Sequence, residues 1–137
     1  MIVMVCVDDK NGMMFNKRRQ SQDRVLRQHM LELAGDKKLW LNAYSRKQFP
    51  KEDESRIAVA ENGFQNIRSG EYCFLEDKDP AQYKEQIEEL ILFHWNRTYP
   101  ADLCCTLDLS EWKQKTTEEF AGSSHEKITQ ERYVKGS

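Results

Sequence analysis

The acidic pair Asp8-Asp9 closes an apolar run, Ile2–Val7, and stands just before an Asn11-Gly12 step. Adjacent carboxylates could exchange a proton or hold magnesium. Beside Asn-Gly, which tolerates positive φ, the same residues also suit the capping of a turn. The three histidines, His29, His94 and His125, lie far apart and form no H-x-H or H-x-x-x-H pattern. No metal site follows from their spacing. The cysteines are Cys6, Cys73 and the neighbours Cys104 and Cys105, with no C-x-x-C pair. That excludes a local zinc knuckle or thioredoxin-type motif, and buried, reduced thiols are the expectation. A basic cluster, Lys17-Arg18-Arg19 with Arg24, Arg27, Arg46 and Lys47, could meet phosphate. Between Lys17 and Lys51 ten Lys or Arg oppose three Asp or Glu, whereas from Glu71 onward fourteen acids oppose eight bases. The sequence pI of about 6.0 speaks against a dedicated nucleic-acid binder. A small anionic ligand or a protein partner fits the charge better.

Elements able to position these residues can be read along the chain. Ile2–Val7 is short and rich in β-branched residues, the pattern of a buried strand. In an open α/β sheet, ligands gather at the end of such a strand. Ser21 suits a helix N-cap, Val25, Leu26, Met30, Leu31, Leu33 and Ala34 recur at helical spacing, and Gly35 is a stop. Residues 38–42 read as a second strand, followed by a short helical segment over 43–49 and a stop at Pro50. Residues 57–60 and 71–75 give the third and fourth strands, with a turn and a helix fragment between them. Asp79-Pro80-Ala81-Gln82 has the cap, proline and glutamine of a helix start, and Tyr83, Ile87 and Leu90 form its inner face. Residues 91–95 are a fifth strand, and 103–107, 112–120 and 127–134 are strands without helices between them. Strand–helix alternation followed by antiparallel strands predicts an α/β sheet in one domain. The 137 residues, 39% hydrophobic and 32% charged, fit a globular protein. No apolar run approaches the roughly 18 residues of a membrane span, and the N-terminus lacks a secretory pattern. No membrane partner and a cytoplasmic location are expected.

The order of elements, together with several local matches, resembles dihydrofolate reductase. At the start the matches are Val7-Asp8 and Asn11-Gly12 through Asn16. Near the end they are Ala101-Asp102, Leu107-Asp108-Leu109-Ser110, Trp112, Ser124-His125-Glu126 and Gln130-Glu131-Arg132-Tyr133. The resemblance covers most of the chain, with a shortened middle. It implies a single-domain dihydrofolate reductase-like sheet with flanking helices and a C-terminal antiparallel hairpin. It also places Val7 and Asn16 at the ligand cleft, beside the mobile loop that covers the nicotinamide. Asp23 becomes the candidate for the catalytic carboxylate on the first helix that holds the pterin. The other reading of Asp23 is a favourable acid at a helix N-terminus. Cofactor phosphate would fall to Tyr44, Ser45, Arg46 and Lys47. Trp40, in a predicted strand where aromatics are mostly core, is either a core residue or joins Tyr44 on a cleft floor.

The chain also departs from that family. Lys17-Arg18-Arg19-Gln20 stands where the family has Pro-Trp, and Asn42-Ala43-Tyr44-Ser45 keeps only the hydroxyl of its phosphate motif. After the fourth strand, Leu75-Glu76-Asp77 replaces two glycines that let backbone approach the pyrophosphate. A like-charge pair at 4 Å costs roughly 1 kcal/mol in water and several times more when partly buried. The side chains of Glu76 and Asp77 also take the space the phosphates need. The resulting expectation is a divergent dihydrofolate reductase-like protein without NADPH-dependent catalysis, and with no metal, that binds a small anionic ligand or a protein partner. One alternative is an active NADPH-dependent reductase working through Asp23. Another is a metal-dependent nuclease of the ribonuclease Z type, whose H-x-H-x-D-H cluster is absent.

Overall fold

A computed structural model describes residues 1–60 and 63–135. In chain order the elements are β1 (Ile2–Val7), β2 (Gly12–Phe15), β3 (Arg18–Arg19), α1 (Arg24–Ala34), β4 (Leu39–Leu41) and α2 (Ala43–Arg46). There follow β5 (Ile57–Val59), β6 (Tyr72–Phe74), β7 (Glu89–His94), β8 (Leu103–Cys104), β9 (Trp112–Phe120) and β10 (Ile128–Lys135). Short 3-10 helices cover Lys51–Arg56 and Pro80–Gln86. The main sheet has seven strands in the order β5-β4-β6-β1-β7-β10-β9. Its first five strands are parallel, while β10 runs antiparallel to both β7 and β9. The expected α/β sheet with a C-terminal antiparallel hairpin is therefore what forms.

Strand alternation explains where the core lies. Val3, Val5 and Val7 of β1 point into one layer with Met13, Met14, Leu90 and Leu92. Ile2 and Met4 point into the other, where α1 contributes Leu26, Met30 and Leu31. Side chains that alternate across a sheet covered on both faces need apolar residues at every position, which is what β1 supplies. Each fully buried aliphatic or Met side chain contributes about 1.5–3 kcal/mol. The stop at Gly35 holds: its φ is 64°, and its N–H reaches Leu31 O and Glu32 O at 3.1 Å. Among the described residues no helix is long and apolar enough to cross a membrane.

Four local expectations need correction. The cap of α1 is Asp23, not Ser21; its carboxylate accepts from Leu26 N, and the Ser21 hydroxyl is turned to His125 instead. The segment opened by Asp79 is a 3-10 helix with a kink at Tyr83, and Leu90 belongs to β7. Pairing of Glu89 with Ile2 draws the chain into the sheet before an α-helix can extend. The first hairpin is built into a second, three-stranded sheet in the order β3-β2-β8, so only Leu103–Cys104 of the 103–107 run is strand. Residues 63–70 form turns and bends without a helix, and the first two positions of that expected fragment lie outside the described residues.

Candidate functional site

Parallel strands β1, β4 and β6 deliver their C-terminal ends to one edge, the place where α/β sheets bind ligands. Two residues past β6, Glu76 is only 8% exposed. Its carboxylate accepts from Arg19 Nε at 3.0 Å, Arg19 Nη2 at 3.2 Å and Ser45 Oγ at 2.7 Å. The Arg19 guanidinium lies 4.4 Å over the Tyr44 ring and donates to Tyr44 O, while Arg19 N donates to the Tyr44 hydroxyl. Burial works against the Arg19 charge, but hydrogen bonding and attraction to Glu76 outweigh it and raise the guanidinium pKa. Asp77 accepts from Asn42 Nδ2 at 2.9 Å, and Asn42 also caps α2 through Ser45 N. The second small sheet makes this possible, because β3 carries Arg19 back over the strand ends.

The proposed cleft residues divide. Tyr44, Ser45, Glu76 and Asp77 lie in or beside this network. Arg46 turns away to donate to Phe49 O, and Lys47 borders a different groove. Val7 is fully buried in the core, and Trp40 is half-buried against the same core layer. Asn16 occupies the tight β2–β3 turn at φ 52° and donates its N–H to Asp102 Oδ2.

Asp23 sits in a second polar cluster. At 2% exposure, it accepts from Leu26 N, Ser123 N, Ser124 N and His125 Nδ1 at 2.8–3.1 Å, and from Ser123 Oγ at 3.3 Å. Burial pushes its pKa up, but the His125 contact and the backbone N–H groups prevail and hold it well below the ordinary carboxylate range. His125 stacks on Trp95 at 4.4 Å, and its Nε2 lies 3.0 Å from Ser21 Oγ. Sequence reasoning missed His125 as a partner of Asp23, since no local spacing links residues 102 positions apart. A Cβ built on Gly122 would run into the buried Asp23 carboxylate, 2.9 Å from its Cγ and 3.0 Å from its Oδ1. Gly122→Ala is therefore expected to destabilise the protein by about 1–3 kcal/mol through overpacking. Urea unfolding measures this; an unchanged midpoint would mean that the 122–125 loop yields freely.

The acidic pair separates likewise. Asp8 is buried and accepts from Gly12 N, Lys10 N, Tyr99 N and Gln20 Nε2, which ties the β1–β2 turn to residues 20 and 99. Burial opposes the Asp8 charge, and those donors overcome it to lower the pKa. Asp9 is exposed and meets Thr98. Among the described residues no cluster of three or more His, Cys, Asp or Glu is placed to hold a metal. Burial suppresses three of the thiols, raising Cys6 and pushing Cys73 up to about 12 and Cys105 up to about 11.

Between α1 and the sheet, bordered by Cys6, Asp23, Phe74, Glu76 and Trp95, only about 10 Å³ is open. That is roughly room for one water molecule. Larger spaces lie outside it. A groove of about 650 Å³ runs past Arg24, Arg27, Lys47 and Gln48, with Glu52 and Asp53 also on its walls. Another, of about 350 Å³, is bordered by Met14, Lys17, Tyr44, Asp77, Asp102 and Leu103.

An open parallel sheet extended by an antiparallel hairpin, with polar groups collected at its strand ends, defines an α/β architecture. More particularly, it is a dihydrofolate reductase-like fold. The chain is similar to a dihydrofolate reductase from Enterococcus faecalis complexed with NADP(H) and RAB-propyl. The TM-score is 0.67 at 10% identity, over 99% of this chain and 96% of that one. No family model matches the sequence, and no curated protein matches it. At this identity the likeness establishes fold and leaves activity to the site.

Proposed function

We propose that this chain is a one-domain cytoplasmic protein that uses a dihydrofolate reductase-like fold to bind a small anionic ligand, without NADPH-dependent reduction. The observation that carries the reading is the Arg19–Glu76–Ser45 network at the end of β6. The resemblance assigns that place to glycines and cofactor pyrophosphate; here a buried carboxylate and its partners fill it. NADP(H), held by the Enterococcus enzyme, does not fit these side chains. The small space beside Asp23 likewise leaves no room for a pterin.

An anion finds better chemistry in the groove beside α1. Arg24, Arg27 and Lys47 border it, and Gln48 Nε2 is buried with no hydrogen-bond partner among the described residues. A buried donor left unpaired costs about 1–3 kcal/mol, so an acceptor brought by a ligand would stabilise this wall. Burial lowers the Arg27 pKa, with Arg19 and Arg24 adding to the effect and Asp23 and Asp53 opposing it. Bound negative charge would relieve that strain.

Titration with NADPH, followed by tryptophan fluorescence and thermal unfolding, tests the first half. A flat response to millimolar concentration is expected. A micromolar ligand would instead add about 2.7 kcal/mol of stability at hundredfold excess, and that result would restore the reductase reading. Pyrophosphate tests the second half: it should raise the unfolding temperature of the wild type but not of Arg27→Ala. Equal shifts in the two proteins would remove the groove as the site.

A further inference from the structure

We propose that Ser21, His125 and Asp23 form a serine–histidine–aspartate relay, with Ser21 Oγ a nucleophile toward activated acyl groups. This chemistry is separate from the anion groove and stands or falls independently of it. Asp23, ionised and therefore acceptor-only, lies 3.0 Å from His125 Nδ1, which places the ring proton on that nitrogen. His125 Nε2 then presents a lone pair, and Ser21 Oγ, 3.0 Å away, donates its hydroxyl proton to it. The Tyr99 hydroxyl lies 3.4 Å from the same nitrogen. Stacking on Trp95 and 5% exposure fix the orientation of the ring. A nucleophile on a base, and the base on a carboxylate that sets its tautomer, is the arrangement required for acyl transfer.

Holding the 122–125 loop against α1 does not explain the whole cluster. Asp23 already achieves that through Leu26 N, Ser123 N and Ser124 N. Ser21 contributes nothing to the helix cap, yet its hydroxyl lies 3.0 Å from the base. Ser21 is half-buried, in the connection between β3 and α1. Ser21 itself borders only the space of about 10 Å³ beside Asp23; the neighbouring opening of about 330 Å³, bordered by Arg18, Arg19, Gln20, Tyr99 and Pro100, meets the relay at Tyr99. That volume suits a small ester, and the exposed Arg18 favours one with an anionic tail.

The step balances with water as co-reactant. Ser21 Oγ bonds to the ester carbonyl carbon while its proton passes to His125 Nε2. The bond to the alcohol oxygen breaks, and that oxygen leaves with the proton from Nε2. Water, deprotonated by the same nitrogen, then cleaves the acyl-serine and regenerates the hydroxyl.

The test treats the full chain with a fluorophosphonate and with p-nitrophenyl acetate, reading adduct mass, adduct position and nitrophenol release. One adduct, on Ser21, is expected in the wild type and none in Ser21→Ala, whose loss of one half-buried hydroxyl leaves the fold in place. His125→Gln should slow labelling at least about a hundredfold. Absence of any adduct on the folded wild type overturns the proposal. So does an adduct that persists in Ser21→Ala, or labelling of His125→Gln at the wild-type rate.

Discussion

Replacing Asp23 with alanine is expected to destabilise the fold by about 3–5 kcal/mol, because several buried donors lose their one acceptor at once. The carboxylate is the common acceptor for the first turn of α1 and for three successive residues of the 122–125 loop. Without it, buried N–H groups from two segments lose their partner together, and each unsatisfied donor costs about 1–3 kcal/mol. Urea unfolding at neutral pH measures the loss; a value below about 1 kcal/mol would mean that water replaces the carboxylate freely. The same carboxylate sets the acid response. Its pKa is depressed in the folded state, so its stabilisation is complete above the unfolded value of about 3.9 and decays as pH falls through that region and below. Asp8 has the same sign. Wild type should therefore lose stability on acidification more steeply than Asp23→Ala, and the two curves should converge. Parallel curves would remove Asp23 from the account.

The elements that were legible in the sequence are those whose cause is local. The unbroken apolar run of β1, the helical spacing from Val25 to Ala34 and the stop at Gly35 each carry their own physics. The C-terminal hairpin was visible because β9 and β10 are long and follow one another closely. What sequence reading missed was decided by distant partners. Ser21 and Asp23 are both good caps, and His125 settles which one serves by engaging both side chains. The hairpin of β2 and β3 looked like a loop because β8, its third strand, lies almost ninety positions on. Asp79 carries a helix-start signal, but its carboxylate also binds Thr106 N and the Thr106 hydroxyl. Glu76 was readable as a negative charge at the wrong place for phosphate. Its neutralisation by Arg19, 57 residues earlier, was not.

That pairing leads to the second large effect. Glu76→Ala is expected to destabilise the protein by about 2–4 kcal/mol, less than Asp23→Ala because the Arg19 side chain keeps 20% of its exposure and part of its solvation. The loss comes from the cation left behind: Arg19 would keep only its bond to Tyr44 O, and its Nε and the Ser45 hydroxyl would point into the space vacated at the end of β6 without the carboxylate. Arg19→Met added to Glu76→Ala should therefore recover part of the lost stability, since replacing both partners of a buried pair costs less than removing one. The cavity so formed has the donors of an anion site, and pyrophosphate should stabilise Glu76→Ala more than wild type. Adding Asp77→Gly should enlarge the effect, because the remaining carboxylate repels the ligand across the same opening. Thermal unfolding across a pyrophosphate series reads both results. If Glu76→Ala responds no more than wild type, Glu76 is a structural ion-pair partner and not the occupant of a former phosphate site.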